Sequence, residues 1–320
     1  MFAYAFLEKP YILYIIMCTL AIATAGINAS AINWGHIRFG NEERDTTLMV
    51  EIMKKASTRE KVSSLKYTPG MLLSDIGHSF IGTPYVAHTL ECDTAYAFSH
   101  RAADGSAGEM LTIDLGALDC TTFVETAMAM AYTIGEGRSG WRDAMYNLEK
   151  IRYRHGVMNG YASRLHYICD WIMDNSAMGI IEDAVRRMDT GVKYEVKTID
   201  YMSTHRDSYL VMADSVTYER IRDVEDGYRN HRFGYLKARS LGDKSVQAQL
   251  REGDVLCFTS TLKDLDVTHL GILTRGDDGK WHVMHASSTL GKVVVSDEPL
   301  DRFVQRNRHW TGVRVLRLSE

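Results

Sequence analysis

"VTHLGILTRGDDGKWHVMHASS", residues 267–288, alternates apolar and polar side chains on both sides of a Gly/Asp-rich break. Period-two alternation marks strands, and a short Asp/Gly interruption between two such runs marks a β-hairpin. One arm is Thr268–Thr274 and the other Lys280–Ala286. The register decides where two histidines go. A loop over 276–278 sets His269 opposite His285. A loop over 277–279, with Gly279 supplying a positive φ, sets His269 opposite Ser287 and leaves His285 diagonal on the same face. Directly opposed Cβ atoms lie about 4.5–5.5 Å apart. A two-residue Asp278-Gly279 turn instead sends the two histidines to opposite faces. Both three-residue loops build an imidazole pair, and Gly271 beside His269 leaves room there for a substrate or a helix end.

Strand texture extends around this hairpin, over 254–260, 268–274, 281–286, 292–296 and 312–318. Upstream, apolar residues recur at helical spacing over 45–57, 71–81, 122–134, 139–153 and 161–175. Between the last two helices and the first strand, residues 180–250 are mixed and more polar, and read as a helical insertion. Helices first and neighbouring strands last imply an α+β fold.

The chemistry points back to "LDCTTFVETAMAMAYTIG", residues 118–135, where a thiol runs straight into a helical apolar pattern. A helix that starts beside Cys120 aims unpaired N–H groups and the positive dipole end at the sulfur, which favours thiolate. The bland alternative is a small core residue. Cys120 with His269 as base and His285 as the group that orients the base would satisfy the logic of nucleophile, base and orienter; Ser287 is the substitute for His285. Cys169 and Cys257 sit in a helical and a strand pattern and read as buried apolar residues, Cys92 as a core or loop thiol. His155, His282 and His309 read as ordinary polar residues. No Cys-x-x-Cys metal knuckle occurs.

At 320 residues with 45% hydrophobic and 24% charged residues, the chain can bury a large core. A formal net charge of -4 gives no electrostatic case for nucleic acid. Residues 1–31 carry Lys9, an apolar run from Tyr11 to Ala23 and small-residue sites at 23–25 and 29–31, the pattern of a signal peptide, with an uncleaved anchor as the alternative. The expectation is an exported, periplasmic protein whose residues 32–320 form a single catalytic domain. Its four remaining cysteines allow three disulfide pairings.

The segments "FIGTPYVAHTLE" (80–91), "LDCTTFVETAMAMA" (118–131), "YASRLHYICDWIMDN" (161–175), "GDVL", "VTHLGIL" and "HASS", in this order, resemble the N-acetylmuramoyl-L-alanine amidase-like branch of the NlpC-type cell-wall cysteine peptidases. The resemblance implies a pared-down papain-like core, with Cys opening a helix that packs on a C-terminal antiparallel sheet. It implies Cys120 as nucleophile, His269 as base and His285 as the third polar residue. It implies a muropeptide or peptidoglycan substrate, cut between N-acetylmuramic acid, in its 1,6-anhydro form, and the L-Ala of the stem peptide. No cofactor and no resident metal are implied.

Candidate substrate contacts follow from the blocks that distinguish this branch: Tyr85, Glu91, Arg164 and His166, with Ser287 near the histidines. Arg164 could clamp a carboxylate bidentately, or form an ion pair on the surface. Aromatics such as Tyr161 suit a sugar face, whereas Tyr167 and Trp171, four apart on one helix, read as core. Three competing functions remain: a γ-D-Glu-diaminopimelate endopeptidase, a zinc hydrolase using His269, His285 and Asp266 or Cys120, and a wall-binding module without activity.

Overall fold

In the computed structural model, residues 34–63, 67–91 and 93–320 are described. The leader-like segment, with Cys18, and Cys92 lie outside the described residues. The strands are β1 (Ile37–Phe39), β2 (Leu111–Ile113), β3 (Ile181–Asp183), β4 (Val192–Lys197), β5 (His231–Lys237), β6 (Val255–Ser260), β7 (Val267–Arg275), β8 (Trp281–Ser287), β9 (Lys292–Val295) and β10 (Trp310–Leu318). A large antiparallel sheet runs β4-β5-β10-β6-β7-β8-β9, with β3 also on β10, while β1 and β2 form a small parallel pair. The fold is α+β.

The hairpin takes the second of the two three-residue loops. Ile272 pairs with Met284, Leu273 with Val283, Thr274 with His282 and Arg275 with Trp281. Gly276 closes the ladder onto Lys280, and Gly279 sits at φ 73°, the left-handed conformation the turn requires. Gly271 serves a different purpose from the one expected. A Cβ there would stand 2.7 Å from Val283 Cγ1 and 3.0 Å from the Met284 carbonyl oxygen. Its bareness makes room for β8, not for a substrate.

Residues 180–250 correct the expectation of a helical insertion. They supply β3, β4 and β5 to the main sheet, and the helix Ser215–Asp226 is their only long one among the described residues. The partners that make strands of these segments lie far along the chain, β10 above all. Lys197, at the end of β4, is buried and donates to the carbonyls of Ser260, Leu262 and Leu265. It thereby pins the loop between β6 and β7.

The helix Cys120–Gly135 is apolar nearly all round because it is enclosed nearly all round, by the helices Pro69–His78 and Trp141–Arg152 and by β7 and β8. Asp119 caps it. Its carboxylate accepts from the N–H groups of Thr121 and Thr122, and the Thr122 hydroxyl returns a contact to the Asp119 N–H. One turn on, Glu125 meets Arg152 at 2.7 Å, both fully buried, and Arg152 also donates to the Thr112 carbonyl. The expected helix 161–175 starts only at Ile168. The chain bends at 161–167 because Arg164 pairs strand-like with Tyr153 and the Leu165 N–H goes to the Arg152 carbonyl. On the face of the sheet turned away from the helix Cys120–Gly135, Leu256, Phe258, Val283, Val313 and Val315 pack with Leu300 and Val304, and His269, paired with Phe258, shares that face.

Candidate active site

Cys120 is the first residue of its helix, and His269 lies on β7, the strand that this helix crosses. Both line one cavity of about 280 Å³. Cys120 is half-buried. Burial, followed by the Asp119 carboxylate, pushes its thiol up to about 11 despite the opposing N–H groups of Leu270 and of Cys120 itself. Burial here works against the thiolate that a helix end favours.

His269 Nε2 lies 2.8 Å from His285 Nδ1, with the rings edge to face at 4.9 Å. The two imidazoles share a sheet face, as the register requires. Trp310 stacks on His269 at 5.6 Å, Phe258 stands 5.4 Å away, and Phe303 abuts His285 at 5.0 Å. This aromatic box lowers both pKa values, His269 to about 3 through burial and then His285, and His285 to about 4 through burial. Ser287 does not reach His269. Its hydroxyl accepts the Leu290 N–H at 3.1 Å.

His166 lines the same cavity as Cys120, on the bend rather than on a helix. Tyr85 stands near the thiol. Its hydroxyl pKa is raised by burial and then by Cys120 and Asp119. Arg164 corrects both readings made of it. It is 5% exposed, bonded to Glu91 at 2.8 Å and facing Glu109 at 3.5 Å, so it is neither a free carboxylate clamp nor a surface pair. Glu91 is likewise spent on Arg164 and on the Tyr161 hydroxyl, and neither Glu91 nor Arg164 lines the cavity. Tyr167 is buried and Trp171 is core, as their spacing implied. Cys169 and Cys257 are free and wholly buried.

Sequence reasoning missed Tyr201, Met202 and Tyr209, which close the cavity from within 180–250. The aromatic run "IDYMSTHRDSYLVM" (199–212) is the one signal that could have drawn attention. Glu225 holds this wall in place. Its carboxylate takes the Tyr167 hydroxyl and the Ser203 N–H, while Tyr167 accepts from the Met202 N–H.

Against this geometry, the family model for AmiA-like proteins, N-acetylmuramoyl-L-alanine amidase-like, matches residues 75–313, about three-quarters of the chain. The chain belongs to this amidase-like family. The match takes in Cys120, His166, His269 and His285. An N-acetylmuramoyl-L-alanine amidase from Bacteroides uniformis ATCC 8492 is similar, at 34% identity and TM-score 0.70, over 79% of this chain and 99% of that one. A Bacteroides fragilis structure labelled a candidate xylanase is 34% identical with TM-score 0.66, over 76% and 98%. A Legionella pneumophila protein at 17% identity and TM-score 0.62, over 87% and 96%, shares the fold. No curated protein matches the chain. The relatives make this an amidase-like hydrolase, related to peptidoglycan chemistry.

Proposed function

We propose that this protein is a cysteine amidase of the NlpC-type, papain-like kind that splits N-acetylmuramic acid, in its 1,6-anhydro form, from the L-Ala of a stem peptide. The observation that carries the proposal is that Cys120 and His269 line one cavity, with His269 Nε2 held 2.8 Å from His285 Nδ1. With Nε2 engaged by His285, Nδ1 is the His269 nitrogen free to take the thiol proton; among the described residues no direct bond joins the ring to Cys120. Thiol and imidazole both rest neutral, so the proton moves as the sulfur attacks. The Cys120 sulfur bonds to the lactyl carbonyl carbon while its proton passes to His269. Collapse of the tetrahedral adduct breaks the C–N bond, and His269 returns the proton to the departing amine of L-Ala. Water then hydrolyses the thioester with His269 again as base. In this reading the N–H of Cys120, beside its own sulfur, serves the oxyanion.

Glycoside hydrolysis, the activity in the label of the Bacteroides fragilis relative, works through paired carboxylates. The groups gathered here are a thiol and two imidazoles. A zinc site on the same histidines is disfavoured by their bond to each other, ring nitrogen to ring nitrogen, and by Asp266, which is fully buried with Arg314 4.0 Å away. We place the mature enzyme outside the cytoplasm on the leader-like residues 1–31; among the described residues no helix is long and apolar enough to cross a membrane.

Defined anhydro-muropeptides followed by mass spectrometry test the reading. Free sugar plus an intact stem peptide beginning with L-Ala is the expected product pair. Sugar still carrying L-Ala-D-Glu would make the enzyme a γ-D-Glu endopeptidase. Sensitivity to iodoacetamide with resistance to EDTA separates thiol from zinc chemistry.

A further inference from the structure

We propose that His166 is a tautomer-locked hydrogen-bond acceptor that reads the acetamido N–H of the substrate's sugar ring. The proposal rests on the amidase reading above and assigns one contact within it. His166 Nε2 lies 2.9 Å from the Tyr161 carbonyl oxygen. A carbonyl only accepts, so Nε2 carries the hydrogen and donates. Burial, and then the neighbouring Arg164 guanidinium, hold the ring's pKa well below the usual histidine value. The ring is therefore neutral, and Nδ1 keeps its lone pair. Among the described residues no hydrogen bond is made by Nδ1, and the half-buried ring stands in the cavity wall.

The surroundings forbid an easy ring flip. Tyr161 lies 4.5 Å from the His166 ring, Arg164 covers the Tyr161 ring at 4.8 Å, and Glu91 bonds both the Tyr161 hydroxyl and Arg164. The buried ionic cluster thus fixes which nitrogen faces a ligand. An acceptor in a cavity wall calls for a donor on the ligand. Ile168, Met202 and Leu265 share that cavity and suit a methyl group. A secondary acetamide supplies both: an N–H for Nδ1 and a methyl for the apolar wall. Leaving a buried acceptor unpaired carries a penalty, so the site rejects an otherwise similar group that lacks the hydrogen.

The test compares two substrates on the full chain, one with the 2-acetamido group and one with a 2-acetoxy group, which keeps methyl and carbonyl but has no donor. Wild type should prefer the acetamide by roughly ten- to a hundredfold in kcat/KM. His166→Phe, which keeps the ring but removes the acceptor, should lose that preference, with the change falling in KM more than in kcat. His166→Asn, with an acceptor near the Nδ1 position, should keep part of it. In the wild type, ¹⁵N NMR should show His166 with an unprotonated Nδ1 and a protonated Nε2 at neutral pH, independently of how the variants fold. Equal rates on the two substrates, or hydrogen on Nδ1, would overturn this inference and leave the amidase standing. No turnover of the acetamido substrate would overturn both.

Discussion

The two walls of the cavity bury polar groups in opposite ways. On the His269 side the polar groups are a thiol and two imidazoles, the imidazoles boxed by Phe258, Trp310 and Phe303, and desolvation drives all three toward their neutral forms. Behind the His166 wall the groups are ionic: Arg164 between Glu91 and Glu109, and Arg152 on Glu125. None of those charges lines the cavity. Neutral groups suit the wall where the proposed mechanism moves a proton. Paired charges, costly to separate in a dry interior, suit the wall whose geometry has to stay fixed.

Breaking the first wall should abolish activity without unfolding. Cys120→Ala is expected to remove hydrolysis altogether with an unchanged circular dichroism spectrum, because Ala is small and a good helix former. Equal turnover by the variant would end the thiol mechanism. His285→Ala should cost about 10²–10⁴-fold in kcat by freeing the His269 ring, with Tm little changed; a Ser287→Ala variant assayed alongside should retain most of the rate.

Breaking the second wall should act on stability first. Arg164→Met strands Glu109 without its partner and is expected to cost about 3–5 kcal/mol in chemical denaturation. A loss no larger than that of an exposed arginine would mean the cluster does not hold that wall. The histidine pair adds a smaller, pH-dependent effect. His269 and His285 titrate near 3 and 4 in the folded chain and near 6.5 unfolded, so as pH falls through 6.5 the unfolded state takes up protons first. Their contribution is intact above about pH 6.5 and drains away toward pH 3–4. Tm measured from pH 7 to 4 should fall less in a His269→Gln/His285→Asn double variant than in wild type. At the bottom of the scale, Arg306→Ala removes an exposed pair with Glu298 and should leave Tm unchanged.

The same contrast separates what the sequence disclosed from what it hid. The hairpin was legible because its signals are local: alternation, and a glycine where the turn needs positive φ. The start of the Cys120 helix was legible because its cap lies next to it. Arg164 was not, since nothing nearby announces that Glu91 and Glu109, over fifty residues upstream, close around it. Strand β4 misleads outright. Tyr194 and Val196 are exposed while Lys197 is buried, the reverse of what alternation rewards. Its pairing is supplied by β5 and, beyond that, β10, so a helical insertion was the cheaper inference from 180–250. That error concealed Tyr201, Met202 and Tyr209, and with them one side of the cavity.

Lys197 itself has a consequence for the approach to His269. The carbonyls of Ser260, at the end of β6, and of Leu262 and Leu265 in the β6–β7 loop converge on its ammonium much as a loop converges on a bound cation. Here the cation is tethered by the chain, so its effective concentration is set by the fold and not by the medium. The loop that delivers β7 to the cavity should therefore keep its shape in chelators and across ion compositions, and should lose it when that one amine is acetylated or truncated.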